Sequence, residues 1–208
     1  MQIFTCGSPF IHLNFLSSNI ALFVFIWYNI YRNEIIAKSE AGYSMAKHAG
    51  KDKGEKTNVM RLLDQAKIEY KHYSYASAEA ISGTEVAAVL NQNPAQVFKT
   101  LVTVGKSGAH YVFVIPVAGE LDLKKAAKAV GDKAVDMLKS KDLLPLTGYI
   151  HGGCSPIGMK KLFTTVVDKS AEAFDTILFS GGKIGYQVEV APSDLKKLVP
   201  FTFAEVTV

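Results

Sequence analysis

The stretch Tyr149-Ile-His-Gly-Gly-Cys-Ser-Pro-Ile-Gly158 contains three glycines and a proline within ten residues. This density of glycine and proline is incompatible with a helix or a central strand, so it predicts a loop. Gly152 and Gly153 permit positive φ and close approach of a ligand, while Pro156 stiffens the turn. Such a loop can present backbone N–H groups to an anion or a polarised carbonyl oxygen. A plain tight turn has the same pattern, so the spacing alone leaves both interpretations open.

Composition limits the classes of protein to which the chain can belong. Its 208 residues are 49% hydrophobic and 20% charged, which is typical of a globular protein with one well-formed core. The net charge of +4 is compatible with a nucleic-acid partner without demonstrating one. The two cysteines and five histidines show no spacing typical of a disulfide framework or a metal site. We therefore expect a reducing compartment, no metal and no cofactor.

The first 44 residues differ in composition from the rest of the chain. Residues 10–31 form an apolar stretch long enough to span a bilayer, interrupted by asparagine and serine. Met45 is followed by a polar leader, residues 45–56, that runs into the first predicted helix. We prefer an over-extended gene start to a membrane anchor as the explanation of residues 1–44. Both explanations place the working domain, residues 57–208, in the cytoplasm, and only the second brings a membrane partner.

From Thr57 onward, hydrophobic periodicity and capping residues predict an alternation of short helices and many strands. One predicted helix begins after Thr57. The others are Glu85–Leu90, Leu123–Val130, a helical turn after Ser140 and a last helix, Pro192–Val199. Predicted strands are Tyr70–Tyr75, Phe98–Val104, Tyr111–Ile115, Ala134–Leu138, Leu162–Val167, Thr176–Phe179, Tyr186–Val190 and Phe201–Phe203. The absence of regular strand–helix–strand alternation favours an α+β domain with a mixed, curved sheet over a doubly wound fold.

Two residues are candidates for chemistry on their sequence context. Cys154 lies in the glycine loop near His151, but a small, partly buried structural residue is the preferred interpretation because sequence proximity does not establish a catalytic pair. Lys99 lies inside an apolar strand, so it projects either onto a solvent-facing surface or into a polar site. Periodicity does not choose between these two orientations of the lysine.

Four stretches in order resemble one family. They are Val97-Phe-Lys-Thr-Leu101, Pro116-Val-Ala-Gly-Glu-Leu-Asp-Leu-Lys-Lys125, Gly148-Tyr-Ile-His-Gly-Gly-Cys-Ser-Pro-Ile-Gly158 with Lys160-Lys161, and Ser180-Gly-Gly-Lys183. Together they are similar to the YbaK/prolyl-tRNA-synthetase-associated domain family, over roughly Thr57 to Val206. The resemblance implies a barrel-like curved sheet with flanking helices. It also implies a trans-acting aminoacyl-tRNA deacylase, which hydrolyses the ester of mischarged tRNA.

The substrate implied by this resemblance is cysteine-charged tRNA(Pro), with prolyl-tRNA synthetase as a partner. In this family the substrate thiol is thought to attack its own ester carbonyl, releasing tRNA and a cyclic thiolactone. Some relatives in the superfamily hydrolyse alanine- or serine-charged tRNA, so these are alternative substrates. A non-catalytic module that binds tRNA or the synthetase is an alternative of another class. Lysines 124, 125, 128, 160 and 161 would then form a tRNA-facing surface.

The resemblance also implies roles for individual residues. Lys99 matches the essential lysine of the family, and Gly152 and Gly153 match the glycine pair whose backbone would hold the carbonyl. The expected substrate-binding residues are Tyr75, Ser155, Pro156 and, as a tRNA contact, Lys183. The chain departs from the family pattern at two positions. Cys154 replaces a usually aliphatic residue. Gln187 stands where YbaK itself has an acidic residue, so no carboxylate role is expected there.

Overall fold

The computed structural model describes residues 56–75 and 82–208, all within one contiguous unit, Ser44–Val208. The expectations for residues 1–44 and for all of the polar leader except Lys56 lie outside the described residues. Among the helices in the two described ranges, none has the length and apolar character needed to cross a membrane.

Five α-helices and eight strands make up the described regular structure, together with one 3₁₀ turn. The helices are α1 Asn58–Gln65, α2 Gly83–Val89, α3 Leu123–Val130, α4 Ser140–Thr147 and α5 Pro192–Leu198. The strands are β1 Lys71–Ser74, β2 Phe98–Gly105, β3 His110–Pro116, β4 Val135–Met137, β5 Thr164–Asp168, β6 Ile177–Ser180, β7 Tyr186–Val190 and β8 Phe201–Ala204. A 3₁₀ turn, Lys169–Ala173, follows β5.

The strands form two sheets. One has five strands in the order β4-β2-β3-β5-β8, with antiparallel pairing among the first three and parallel pairing of β3 with β5 and of β5 with β8. The other is antiparallel, in the order β1-β7-β6. The α+β class with mixed pairing is therefore confirmed, but the single barrel-like sheet is not. A parallel bridge between Val97 and Leu178 connects the start of β2 to β6.

Local side-chain chemistry determines where several helices begin. The Thr57 hydroxyl accepts a hydrogen bond from the Met60 amide, and Ser82 and Glu85 form a reciprocal capping box. The Asp122 carboxylate accepts bonds from two amides at the start of α3. After Ser140 the sequence predicted a single turn, whereas the structure contains the full helix α4. That helix ends at Gly148, whose φ of 86° favours glycine.

Three groups of buried side chains hold these layers together. The main core contains β2, β3 and β5 residues on one side and β6 and β7 residues, such as Phe179 and Val188, on the other. Helices α1 and α5 contribute to the same core. Helix α3 covers the opposite face of the five-stranded sheet through Ala126 and Ala127. Helix α2 packs through Ala87 against Leu178, on the outer face of the small sheet.

A buried carboxylate, Asp168, ties the end of β5 to the C-terminal segment. It accepts hydrogen bonds from the amide and hydroxyl of Ser170, the amide of Val206 and the hydroxyl of Thr207. Burial alone would raise the pKa of Asp168, but these hydrogen bonds outweigh it and the pKa lies below its ordinary value. The ionised carboxylate therefore stabilises the folded state.

Replacing Asp168 with asparagine should lower the free energy of unfolding by about 1–3 kcal/mol at neutral pH, because amides and hydroxyls lose a charged acceptor. A depressed pKa gives stability that is fully present above the unfolded value of about 3.9 and is lost as pH falls through the folded value. Urea denaturation of both proteins between pH 7 and pH 2.5 should show the difference shrinking in acid. A difference that is independent of pH would contradict this role of the carboxylate.

Candidate active site

A cavity of about 300 Å³ lies where the first half of β2 meets the ends of β1, β6 and β7. The first turn of α2 and the first turn of α4 also border it. Its lining residues are Tyr75, Ser82, Gly83, Val86, residues 97–102, Val117, Met137, Leu138, Ser140, Leu143, His151, Gly152, Cys154, Ser180 and Gln187. A cavity of this volume, lined by both apolar and polar groups, is suited to a small organic group.

Lys99 extends from β2 into the wall of this cavity. Its side chain is half-buried, and its Nζ donates a hydrogen bond to the Val117 carbonyl oxygen at 3.1 Å. None of the ion pairs within the described residues involves Lys99, so its positive charge is not neutralised by a described carboxylate. The question left open by the sequence is thus answered, because the lysine faces a partly enclosed site. There its ammonium can attract a phosphate or an oxyanion.

The glycine pair is held against the second glycine-rich turn, which joins β6 to β7. A Cβ on Gly153 would lie 3.3 Å from the Ile184 amide nitrogen, so a side chain here would push this backbone contact apart by a few tenths of an ångström. The Gly153 N–H donates to the Ile150 carbonyl oxygen at 3.1 Å and closes the turn. Gly153 is buried and does not line the cavity. Gly153 therefore positions the loop, and its N–H is not free to bind a ligand because it already donates to the Ile150 carbonyl oxygen.

Gly152 and Cys154, on either side of Gly153, do line the cavity. The backbone amides of these two residues donate to no acceptor in the described part of the chain. Gly152 has a φ of 80°, a conformation that favours glycine, and it is exposed to solvent at the cavity mouth. The amides of Gly152 and Cys154 are thus the better candidates for holding a carbonyl oxygen.

The remaining expected site residues separate into two groups. Tyr75 lines the cavity, and its amide donates to the Gly185 carbonyl oxygen at 2.8 Å, which fixes the end of β1 to the second glycine turn. Ser155 is fully buried, and its hydroxyl accepts a bond from the Ile157 amide. Pro156 lines a different cavity, and Lys183 is exposed, with its Nζ 5.7 Å from the Tyr186 ring centre. None of these three residues, Ser155, Pro156 and Lys183, lines the candidate site.

No described Asp or Glu lines the cavity, and its titratable lining residues are Tyr75, Lys99, His151 and Cys154. Glu189 is a buried carboxylate in β7, but it already accepts bonds from Tyr73, Thr176 and Lys71. Among the described residues, no group of three His, Cys, Asp or Glu side chains could hold a metal ion. The described cavity therefore offers donors and a cation, without a carboxylate base.

Thr100 and Gln187 are lining residues of the cavity that the sequence did not assign to binding, and both carry buried polar atoms. The Thr100 hydroxyl and the Gln187 side-chain carbonyl oxygen are buried and bond to no described group. Gln187 is only 5% exposed and is the second residue of β7. The sequence does contain a signal for each residue. Thr100 is a polar residue next to Lys99 in an apolar strand, and Gln187 is a glutamine in a buried strand, where a polar group needs a hydrogen-bond partner. Neither signal shows which cavity the side chain faces.

Residues 78–198 match the sequence profile of the aminoacyl-tRNA editing domain. The chain belongs to this family. A relative of the editing-domain family from Enterococcus faecalis (strain ATCC 700802 / V583), provisionally named Cys-tRNA(Pro)/Cys-tRNA(Cys) deacylase EbsC, is 49% identical over 160 residues. That alignment covers 76% of this chain and 98% of the relative.

Solved structures show the same fold at lower sequence identity. A protein provisionally described as a trans-editing enzyme for prolyl-tRNA synthetase superposes with a TM-score of 0.64 at 22% identity, covering 74% of this chain and 99% of its own. The hypothetical protein APE2540 gives a TM-score of 0.67 at 22% identity, covering 73% of this chain and 100% of its own. The chain therefore shares its fold with these two structures over about three quarters of its length.

The environment of Cys154 predicts an unreactive thiol. Burial raises the pKa of Cys154 to about 12, so the thiolate is scarce near neutrality. Native protein treated with iodoacetamide at pH 8 should remain unmodified at Cys154, whereas the urea-unfolded protein should be alkylated within the same time. Peptide mapping by mass spectrometry distinguishes this residue from Cys6. Rapid alkylation of the native protein at Cys154 would show that the thiol is accessible and activated.

Proposed function

We propose that this protein is an aminoacyl-tRNA deacylase that hydrolyses the ester of cysteine-charged tRNA(Pro) in trans. The observation that carries the proposal is the content of the described cavity. It combines an unneutralised lysine with unbonded loop amides and contains no carboxylate base. Such a site can position an ester and stabilise an oxyanion, but it supplies no obvious nucleophile. Membership of the editing-domain family and the name of the 49% identical relative support the same substrate.

A cysteinyl ester carries its own nucleophile. A thiol has a pKa of about 8.5, so a few per cent is thiolate near pH 7. Its sulfur attacks the ester carbonyl carbon, forming a C–S bond and an oxyanion, and the carbon–oxygen bond to the terminal ribose then breaks. The ribose oxygen takes a proton from water, and the products are free tRNA and a thiolactone. Water later opens the thiolactone to cysteine.

The protein's part in this reaction is positioning and charge stabilisation. Gly152 and Cys154 would donate backbone hydrogen bonds to the carbonyl oxygen as negative charge develops on it. The Lys99 ammonium would attract either that oxygen or the terminal phosphate of the tRNA. Fixing the thiol and the carbonyl in one conformer lowers the entropic part of the barrier. Because Cys154 remains a protonated thiol, it acts through its backbone rather than its sulfur.

Discrimination between amino acids then rests on chemistry as well as on cavity shape. Cysteine and proline are close in size, and a pocket rejects a near-isostere by only about 1–3 kcal/mol, so a separate hydrolytic site is useful to the synthetase. Serine and alanine offer no comparable nucleophile. They would remain attached to tRNA even if they entered the same cavity.

Prolyl-tRNA synthetase is the proposed partner, in the cytoplasm where charged tRNA is found. None of the five lysines considered for a tRNA surface lines the cavity. Lys125 bonds to Glu205 and to the Thr207 carbonyl oxygen, while Lys160 bonds to carbonyl oxygens at the end of α4. Their ammonium groups are thus partly engaged within the protein. Because phosphate contacts by lysines supply much of the affinity for tRNA, these engaged lysines favour delivery of the tRNA by the synthetase over strong binding of free tRNA.

Replacing Lys99 with alanine should lower the rate of Cys-tRNA(Pro) deacylation by roughly 10²-fold, the usual effect of removing one group that stabilises an oxyanion. The fold should persist, because the side chain makes a single hydrogen bond to Val117. Lys106→Ala is the matched control, since Lys106 is exposed in the hairpin loop after β2. Deacylation assays and thermal unfolding measure the two effects. A fully active Lys99→Ala protein would exclude the proposed role of the lysine.

The thiol mechanism predicts an order of substrates. On one tRNA charged in turn with cysteine, serine and alanine, the cysteine ester should be cleared fastest, by at least tenfold over serine, because only it contains a thiol. The measurement is the amount of labelled amino acid released from tRNA in samples quenched at successive times. A thiolactone should be detectable early in the cysteine reaction. Equal clearance of the serine and cysteine esters would exclude self-attack by the substrate.

A further inference from the structure

Within the described residues, the half of β2 that borders the cavity pairs fully with β3, while its other edge pairs with β6 only at the bridge between Val97 and Leu178. Along β2 and the residues just before it, backbone groups bond alternately to the two sides, and the odd-numbered residues, such as Val97 and Gly105, bond toward β3. The even-numbered ones bond toward the other edge. There Gln96 O accepts from Leu178 of β6 at 3.0 Å, and Val102 O accepts from Leu138, next to β4, also at 3.0 Å.

Thr100 lies between these two anchored positions. Its backbone N–H and C=O must point to the same edge as those of Gln96 and Val102, because alternate residues of a strand share a direction. Strand β4 pairs only with Thr103–Gly105, and the β6 bridge reaches only Val97. In the described chain, no strand pairing, bridge or loop bond reaches Thr100 on this edge, and its hydroxyl has no hydrogen-bond partner. One residue thus presents an unpaired donor and an unpaired acceptor to the cavity.

A free strand edge of this kind needs a particular partner. In an antiparallel bridge, two residues exchange N–H···O=C bonds in both directions. The occupant must therefore offer a carbonyl oxygen and an amino group on adjacent atoms of one residue. Gln187, another lining residue, carries a second buried and unbonded acceptor beside the cavity, its Oε1. Two acceptors, from Thr100 and Gln187, suit a group with several N–H protons, such as an ammonium.

We propose that Thr100 binds the aminoacyl group of the substrate as a one-residue antiparallel strand partner. The Thr100 N–H donates to the ester carbonyl oxygen, and the α-ammonium of the cysteinyl group donates to the Thr100 carbonyl oxygen. The inference rests on the deacylase function proposed above and adds how its substrate is oriented. A carbonyl oxygen accepts two hydrogen bonds, so the Thr100 N–H acts together with an amide of the Gly152 turn.

This orientation also places the substrate side chain. Cross-strand neighbours in an antiparallel pair have Cβ atoms about 4.5–5.5 Å apart on the same face of the sheet. The thiol of an L-cysteinyl group therefore lies beside the Thr100 side chain, whose hydroxyl is unbonded. The hydroxyl can donate to the thiolate and keep it near the carbonyl carbon. An ester without the α-amino group would lose the return bond to Thr100.

Thr100→Pro and Thr100→Val separate the backbone contact from the side chain. Proline removes the N–H but breaks no hydrogen bond within the described protein, and it is tolerated where a strand N–H is unpaired. With wild-type protein active on Cys-tRNA(Pro), Thr100→Pro should lower the deacylation rate by about 10²-fold or more. Thr100→Val keeps the N–H and should lose less than about tenfold. Equal rates for Thr100→Pro and wild type would overturn the proposal.

A substrate analogue gives a test that does not depend on the folding of a variant. Wild-type protein is assayed with tRNA carrying a 3-mercaptopropionyl ester, which has the thiol but no α-amino group. Its rate relative to its own uncatalysed hydrolysis should be at least tenfold below that of the cysteinyl ester. An equal enhancement would overturn the Thr100 contact and leave the deacylase function intact. Failure of wild type on Cys-tRNA(Pro) would instead refute the function itself.

Discussion

Hydrogen-bond pairing along β2 is the constraint on which the candidate site depends. The strand is paired with β3 over its whole length, but within the described residues its other edge pairs only at the two ends, with β6 and with β4. The gap leaves Thr100 without a strand-pairing or loop partner on this edge in the described chain, and an unpaired backbone is costly unless water or a ligand satisfies it. The cavity and its ligand requirement thus have the same physical origin, a sheet edge left open between two anchors.

The glycine turns define the opposite wall of this gap. The lack of a side chain at Gly153 lets its backbone pack closely against Lys183–Ile184, and the amides of Gly152 and Cys154 lie on either side of this contact. Lys99 adds a positive charge where no described carboxylate neutralises it. These features stabilise negative charge on a bound group. The absence of a described base then makes sense for a substrate that brings its own sulfur.

Much of the fold could be predicted from the sequence, because it depends on local chemistry. Thr57, Ser82 and Asp122 cap helices as expected, and the β-branched run beginning at Phe98 is a strand. The division into two sheets could not be predicted, because it depends on non-local pairing such as the bridge to Leu178. The same limit applies to the site. That Thr100 has a free edge depends on where β4 stops, and that neighbour is more than thirty residues away in the chain.

The most direct test is a crystal structure of the protein with 3′-cysteinylamino-3′-deoxyadenosine, in which an amide replaces the labile ester. The account predicts this ligand in the cavity beside Lys99, with its α-amino nitrogen on the Thr100 carbonyl oxygen and its acyl oxygen facing the Gly152 turn. Binding in the second cavity, at Pro156, or with the acyl group directed away from β2, would contradict the account.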